Sequence, residues 1–253
     1  MTDFFRMIRS IGAMIMLGID TLRALPYTWR EREKVLAAFF EIGNASLLMS
    51  CILSMFIGGV LALQSGPVLV ERGLPFVIGQ LVGLSMCKEL GPVMMAILIA
   101  GRVGSAMTAE LGSMRVYQEV DALKTMKINP IHYLVLPRMI AITFALPMLV
   151  IFSILVGWLG GGLVSMTNSE IAIGYQNYMN NLRIAVEWPD LAHGISKSMV
   201  FAIVIGLVSC YEGLQTSGGP RAIGQAVTQS VVKSIVFILI LDYFVTRLFI
   251  LIE

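Results

Sequence analysis

Five long apolar stretches constrain the fold of this chain more than any other feature, because each is long enough to cross a lipid bilayer as a helix. Such a helix needs about 20 mostly apolar residues. Charged residues make up only 13% of the 253 residues, too few to cover a soluble fold of this length. The predicted spans are residues 42–64, 76–101, 139–165, 191–212 and 229–252. The fold class is therefore an all-α polytopic membrane protein with a transmembrane domain over residues 42–253.

Lysine and arginine in the connecting segments predict the orientation of the spans. Twelve of them lie in the N-terminal segment, in the 102–138 loop and in the segment between spans four and five. The two opposite loops hold only Arg72 and Arg183. Loops rich in positive charge stay in the cytoplasm. We therefore expect a cytoplasmic N-terminus, a cytoplasmic 102–138 loop and a C-terminus on the outer side.

Residues 1–41 form a separate region before the first span. No signal-peptide pattern is seen, because Asp3 replaces the usual positive charge. At helical spacing the apolar positions are Phe4, Ile8, Ile11, Ile15 and Leu22, and the polar positions opposite them are Arg6, Arg9, Ser10 and Asp20. This pattern predicts an amphipathic helix in the membrane interface; an ordinary helix packed on a partner is the alternative.

A short helix is predicted in the 102–138 loop, at about residues 113–129. Val116, Val120 and Leu123 share one helical face, and the Asn129–Pro130 pair ends the helix. Its apolar stripe needs a partner. It packs either on the membrane domain of the same chain or into a groove of another protein.

The second span carries charged side chains and a helix breaker in the stretch SMCKELGP. Pro92 has no N–H, so the carbonyl of Lys88 loses its usual helical partner. An ionised side chain in the middle of a membrane costs about 2.5–3.5 kcal/mol. Lys88 and Glu89 are adjacent and point about 100° apart, so they cannot pair with each other and need partners elsewhere or water. Ion pairs between helices and a hydrated or headgroup-binding pathway both fit this pattern.

Small residues follow in the same span. Gly101, Ser105, Ala109 and Gly112 recur at helical spacing and predict a face that packs closely on another helix. Arg102 and Glu110 mark the cytoplasmic end of the span.

Several functions are disfavoured by the residue types. The net charge of +2 is too small to indicate nucleic-acid binding, and the two histidines show no metal-ligand spacing. No G-x-S-x-G occurs, so no enzyme site is predicted. No G-x-x-x-x-G-K-[ST] occurs either, so any nucleotide energy must come from another subunit.

The stretch ELGPVMMAILIAGRVGSAMTAELGSM, from Glu89 to Met114, resembles the MlaE family. The similarity continues through VYQEVDALKTMKINPIHYLVLPR (Val116 to Arg138) and includes FIGGVLALQ (Phe56 to Gln64). Lys88 stands where the family often has arginine. These proteins are permease subunits of ABC lipid transporters that act with MCE proteins in diderm bacteria, mycobacteria and plastids.

The resemblance implies a set of partners and a location. A second copy of the chain would form a homodimer in the bacterial inner membrane, with its C-terminus in the periplasm. A cytoplasmic ABC ATPase would bind ATP and Mg, so this chain itself would need no cofactor. A hexameric MCE-domain protein would receive or deliver phospholipid outside, and the family often adds a small STAS-domain protein on the ATPase.

The resemblance also implies roles for particular residues. Three would lie near the mouth of a lipid pocket: Val60, Leu63 and Gln64. The groups expected to gate the pathway or to pack helices are Lys88, Glu89 and Pro92. The helix that receives the ATPase movement would use Val116, Glu119, Val120, Leu123 and Lys124.

Two other functional classes stay open. The chain could be a membrane scaffold that anchors cytoplasmic partners without moving a substrate. It could also be a secondary transporter that uses Lys88 and Glu89 for ion coupling.

Overall fold

The computed structural model describes residues 2–29, 31–171 and 173–252, with side chains at 10–28, 31–171 and 173–251. Over these residues the chain is helical and contains no strand. A short 3-10 turn, Leu25–Trp29, follows the first helix. The helices are α1 (Thr2–Ala24), α2 (Arg32–Glu71), α3 (Val77–Val116), α4 (Glu119–Thr125), α5 (Ile131–Thr167), α6 (Tyr175–Ala185), α7 (Trp188–Leu214) and α8 (Pro220–Ile252).

Five of these helices are long and apolar enough to cross a membrane: α2, α3, α5, α7 and α8. The prediction of five spans is thus confirmed. The helices extend beyond the predicted apolar stretches, and α2, for example, has 40 residues. The difference has a simple cause, because a helix can continue into water after its apolar part ends, as α2 does over Arg32 to Lys34.

Helix α3 contains two π-helical turns, Met86–Leu90 and Ala100–Gly104. The first ends two residues before Pro92, and there the N–H of Gly91 donates to the carbonyl of Met86, five residues earlier. Proline removes one donor from the helical ladder, and a wider turn is one way for the backbone to adapt. The turn therefore lies at the position where the sequence predicts a broken helix, and π turns are frequent at functional sites.

The chain divides into two compact units. Unit 1 comprises Met1–Ile42, Ile99–Ala145 and Val200–Leu241, and unit 2 comprises Gly43–Leu98, Leu146–Met199 and Asp242–Glu253. Each of the five long helices contributes residues to both units. All the segments with a predicted cytoplasmic location belong to unit 1, and all those predicted outside belong to unit 2.

In unit 1, helix α1 buries one face and exposes another. Met14, Thr21 and Ala24 are buried, whereas the predicted apolar face at Ile11, Ile15 and Leu22 is exposed, with Leu22 at 65%. An apolar face that the chain leaves uncovered suits contact with lipid in the membrane interface. The side chains of Phe4, Arg6, Ile8 and Arg9, which belong to the same prediction, lie outside the described residues.

The packed face of α3 in unit 1 differs in part from the prediction. A Cβ at Gly101 would meet nothing within 4 Å, and Ser105 hydrogen-bonds only its own helix. Gly112 packs closely as predicted, whereas the other two contacting residues, Gly104 and Thr108, each lie one position before a predicted residue. Gly104 lies against Ser209, and Gly112 lies against Thr216. Between them, the hydroxyl of Thr108 is 2.9 Å from that of Ser230. The prediction is wrong for Gly101 because spacing identifies a helical stripe without showing which stripe meets a neighbour.

In unit 2, glycines let α2 and α5 approach closely. A Cβ at Gly58 would overlap the backbone of Gly157, and one at Gly160 would overlap the backbone of Met55. The hydroxyls of Ser54 and Ser153 are 2.6 Å apart at the same contact. Small residues and hydroxyl pairs are the usual means of packing helices in a membrane. The two glycines of FIGGVLALQ thus fix one face of α2, so Phe56, Val60 and Gln64 fall on another.

Candidate functional site

An open apolar groove lies on α2 in unit 2. Its volume is about 320 Å³, at the lower end of the range for small-molecule sites. All but one of the lining residues come from one face of α2, at steps of three and four residues. The lining consists of Leu53, Phe56, Ile57, Val60, Leu61, Gln64 and Leu90.

Among the residues proposed for a lipid pocket, Val60 and Gln64 line this groove and Leu63 does not. Leu63 is 48% exposed, on the side of α2 next to the groove, because it lies three residues after Val60 but one before Gln64. Gln64 is the polar member of the lining, and Leu90 completes the wall from the π turn of α3. The groove can therefore hold a hydrocarbon chain with one amide at its end.

The same π turn carries Lys88 and Glu89, and each pairs with a residue of another helix. Lys88 Nζ is 2.8 Å from Asp190 Oδ1, and Glu89 Oε2 is 2.8 Å from Lys197 Nζ. Adjacent helical residues point in different directions, and Lys88 and Glu89 accordingly do not pair with each other. Asp190 also accepts a hydrogen bond of 2.9 Å from the N–H of Glu187, which caps the start of α7.

Lys197 is the centre of this ion cluster. Its side chain is only 2% exposed, and its ammonium donates to three oxygens. They are Glu89 Oε2 at 2.8 Å, Asp242 Oδ1 at 3.0 Å and the carbonyl of Lys88 at 3.1 Å. That carbonyl is the one that Pro92 deprives of its helical partner. All three protons of a lysine that cannot reach water are thus satisfied.

Thr246 extends the ion cluster to the last turns of α8, because its hydroxyl lies 3.3 Å from Glu89 Oε1. Three helices therefore meet at Glu89: α3 itself, α7 through Lys197, and α8 through Asp242 and Thr246. The cluster holds three carboxylates and two ammonium groups. A network of ion pairs around a buried lysine fixes the relative positions of the helices that carry it.

In unit 1, the helix predicted at residues 113–129, which the family resemblance implies receives the ATPase movement, is shorter than its sequence pattern indicates. The helix α4 spans Glu119–Thr125, and Val116 is instead the last residue of α3. The two helices are separated at Gln118, which has a left-handed φ of 62°, and Lys127 has a φ of 59° on the other side of α4. A left-handed residue interrupts a right-handed helix, so the predicted 113–129 helix divides into two.

The stripe on α4 faces its own unit. Val120 is 3% exposed and Leu123 is half-buried, whereas Glu119 and Lys124 are exposed. Tyr117 and Met126 flank the helix and are 65% and 62% exposed. The sequence left two partners open for this apolar stripe: the membrane domain of the same chain and another protein. Burial of Val120 supports the first. A surface for another protein would have to use the exposed residues.

Charged groups hold α4 in place. Arg115 Nη1 is 2.7 Å from Asp121 Oδ1, and Lys124 Nζ is 3.2 Å from the same oxygen. The hydrogen bond from Arg115, followed by that from Lys124, lowers the pKa of Asp121 below its usual value. The pairs are therefore intact above the ordinary pKa of an aspartate and are lost as the pH falls through the lowered value.

A comparison with known protein families identifies the chain that carries these sites. The model of the Permease MlaE family matches residues 35–248, which include the groove, the ion cluster and α4. The chain belongs to the MlaE permease family.

Named relatives of this MlaE-family chain cover nearly its whole length. The intermembrane phospholipid transport system permease protein MlaE of Haemophilus influenzae is 32% identical over 97% of this chain and 93% of its own. A probable ABC transporter permease protein of Synechocystis is 36% identical over 86% of this chain and 82% of its own. The chloroplastic protein TRIGALACTOSYLDIACYLGLYCEROL 1 of Arabidopsis thaliana is 33% identical over 95% of this chain and 68% of its own.

The MlaE-family chain is thus an ABC transporter permease, a polytopic protein of the inner membrane. At the unit 1 end of α3, Glu110 pairs with Arg138 at 2.6 Å, and Arg102 is exposed.

The sequence analysis missed four residues of the ion cluster: Asp190, Lys197, Asp242 and Thr246. Lys197 and Asp242 carried a usable signal, because an ionisable residue inside an apolar stretch marks a functional position by default.

Proposed function

We propose that this chain is the lipid-moving permease subunit of an ABC transporter, exchanging phospholipid between the inner membrane and an MCE-protein conduit that leads toward the outer membrane. The observation that carries the proposal is the open apolar groove on α2. The cargo is inferred from the name of the Haemophilus relative. In this proposal Val60 and Gln64 contact the lipid, and Leu63 lies at the margin of the groove.

A single groove is too small and too open to enclose a lipid with two acyl chains. Its lining comes from one face of α2 and from Leu90, so the opposite wall must come from outside these residues. A second copy of the chain, placed with its own α2 across from the first, would close the site and bring two grooves together. This supports a homodimer, which symmetric membrane subunits commonly form.

The energy comes from a separate ABC ATPase, since the chain has no Walker A motif of its own. ATP and Mg belong to that partner. We infer that the ATPase contacts the exposed residues around α4, namely Tyr117, Glu119, Lys124 and Met126. Val116, Val120 and Leu123 transmit the movement inward, because Val120 is buried in unit 1. A STAS-domain protein on the ATPase would complete the cytoplasmic part.

The orientation follows from the charge of the loops. Unit 1 carries the positively charged segments and faces the cytoplasm, with Arg102 and Glu110 at that end of α3. The N-terminus is then cytoplasmic and the C-terminus periplasmic, where the MCE-domain protein, a hexamer in the family, accepts or delivers lipid.

The ion cluster positions the wall of the groove. Glu89 and Leu90 belong to the same π turn, so the bonds from Lys197 to Glu89 and to the carbonyl of Lys88 fix Leu90 as well. Lys88, Glu89 and Pro92 thereby act as gate groups, because any movement of this turn against α7 changes the groove.

The second candidate function is an ion-coupled secondary transporter. The observation that favours it is the charge of the ion cluster, which has three carboxylates but only two lysines.

The test is ATP-dependent transfer of a labelled phospholipid from liposomes that hold the permease, the ATPase and the MCE protein. Val60→Trp should lower the initial transfer rate at least about tenfold, because the indole projects into the groove and takes up part of the space for an acyl chain. Leu63→Trp, one turn away and equally exposed, is the matched control and should keep the rate of the original chain.

The same assay separates the alternatives. With an ATPase-dead partner, transfer should stop; unchanged transfer would refute the ABC mechanism. Uptake driven by a proton gradient through the lone chain would assign it to the secondary transporters. If Val60→Trp and Leu63→Trp behaved alike, the groove would not be the lipid site.

A further inference from the structure

Unit 2 contains a second, larger groove, which shares no residue with the apolar groove on α2. Its volume is about 600 Å³, and it lies along one side of α6, beside the last residues of α5. We call it the α6 groove. Apart from Gly174 at its start, it is lined by Met166, Tyr175, Gln176, Met179, Asn180 and Arg183.

The α6 groove is preformed, because α6 is fastened firmly to unit 2 by its opposite side. Tyr178 and Leu182 are each 1% exposed. A Cβ at Gly79 would overlap the carbonyl of Tyr178, and one at Gly83 would press on Leu182. Two glycines of α3 thus allow α6 to lie directly against that helix. A groove on so fixed a helix needs no rearrangement to bind a ligand.

The polar side chains of the groove share one helical face. Gln176, Asn180 and Arg183 follow each other at steps of four and three residues. Arg183 is exposed, and among the described residues it has no ion-pair or hydrogen-bond partner. A guanidinium carries five donors and binds phosphate oxygens in pairs. The groove therefore offers an unused anion-binding group beside two amides.

The other residues place the groove at the surface of a bilayer. The segment connects two helices of membrane-spanning length, since α5 ends at Thr167 and α7 begins at Trp188. Trp188 is 84% exposed, Ile184 75% and Met166 63%. Exposed tryptophan and arginine at the end of a span are typical of the zone where headgroups meet acyl chains.

We propose that the α6 groove binds the phosphate headgroup of a phospholipid from the leaflet that surrounds this end of the chain. Arg183 holds the phosphate, Gln176 and Asn180 bond the remaining polar atoms of the headgroup, and Met166 and Met179 contact the first methylenes. The proposal concerns a site outside the α2 groove, and it does not depend on whether the chain transports lipid. A soluble phosphate offers the same anion, but the methionines would then have no ligand atoms to contact.

The experiment uses a phosphatidylglycerol with a photoreactive diazirine near the ester of one acyl chain, in nanodiscs that hold the full chain. After irradiation, the labelled peptides are mapped by mass spectrometry. We expect labelling at Met166 and Met179. Arg183→Ala should lower it about tenfold, as expected for the loss of a charge-assisted hydrogen bond. Arg183→Lys should give an intermediate value, because it keeps the charge but loses the paired bonds.

Two controls make the result specific. Arg72→Ala removes an exposed arginine from the other loop of unit 2 and should leave the labelling unchanged. A diacylglycerol with the same diazirine lacks the phosphate, so its labelling should be low and independent of Arg183.

Three outcomes would overturn the proposal. One is equal labelling of the original chain and Arg183→Ala. Another is complete suppression by millimolar inorganic phosphate, which would assign the groove to a soluble anion. The third is a photoreactive residue at Met179 that cross-links to a protein in the complex purified from its own membrane, which would make the groove a protein interface.

Discussion

At the scale of single residues, Lys197 has the most demanding environment in the described chain. A lysine that is 2% exposed survives in a membrane helix only if its charge is fully paired. It bonds two carboxylates and the carbonyl that Pro92 leaves without a donor. The proline and the lysine therefore complement each other, although they lie on different helices.

We predict that Lys197→Met destabilises the chain by about 3–5 kcal/mol, because two carboxylates, Glu89 and Asp242, and the carbonyl of Lys88 lose their shared buried donor. The measurement is the free energy of unfolding in mixed micelles. Lys88→Met is the matched control. Its side chain is 37% exposed, it pairs with one carboxylate, and that partner, Asp190, keeps the bond from Glu187, so the cost should be clearly smaller. Equal losses for both variants would contradict the assignment of Lys197 as the centre.

The free energy of unfolding and the rate of lipid transfer, measured on one variant, test the role of Glu89. Glu89→Gln keeps a hydrogen-bond acceptor for Lys197 and leaves Asp242 in place, so the fold should persist. Loss of the folded protein on this change, rather than of transport, would mean that the ion cluster only packs the helices.

At the scale of elements, α4 is the helix with the most specific proposed task. The pattern Val116, Val120 and Leu123 predicted one helix at residues 113–129, but Gln118 divides it. Nothing in the residue types around Gln118 signals a left-handed turn, since glutamine is not a residue that favours that conformation. Burial of Val120 also depends on tertiary contact, which periodicity alone does not specify.

We predict that Val120→Asp and Met126→Asp have different effects. Val120→Asp places an unpaired carboxylate in a buried position and should cost about 3 kcal/mol or more, visible as faster hydrogen exchange in residues 105–135. Met126→Asp changes an exposed side chain, so the fold should remain while binding of the ATPase weakens. Normal ATPase binding by the folded Met126→Asp variant would exclude this surface as the contact.

At the scale of the whole molecule, the number and identity of the spans could be predicted because the bilayer thickness sets the length of an apolar helix. The ion partners could not, because Lys197, Asp190 and Asp242 are distant in sequence from Lys88 and Glu89. The groove was predicted in part. The stretch FIGGVLALQ indicated the right part of α2, but only the contact of Gly58 with Gly157 shows which face remains open.

The central claim is that the chain crosses the membrane five times and presents α4 to the compartment that contains ATP. Single cysteines test it most directly, introduced as Met126→Cys beside α4 and Asn180→Cys on α6, in a chain whose half-buried Cys51 is replaced by alanine. A membrane-impermeant maleimide should label position 180 in intact spheroplasts and position 126 only after lysis. Labelling of position 126 in intact spheroplasts would contradict the account.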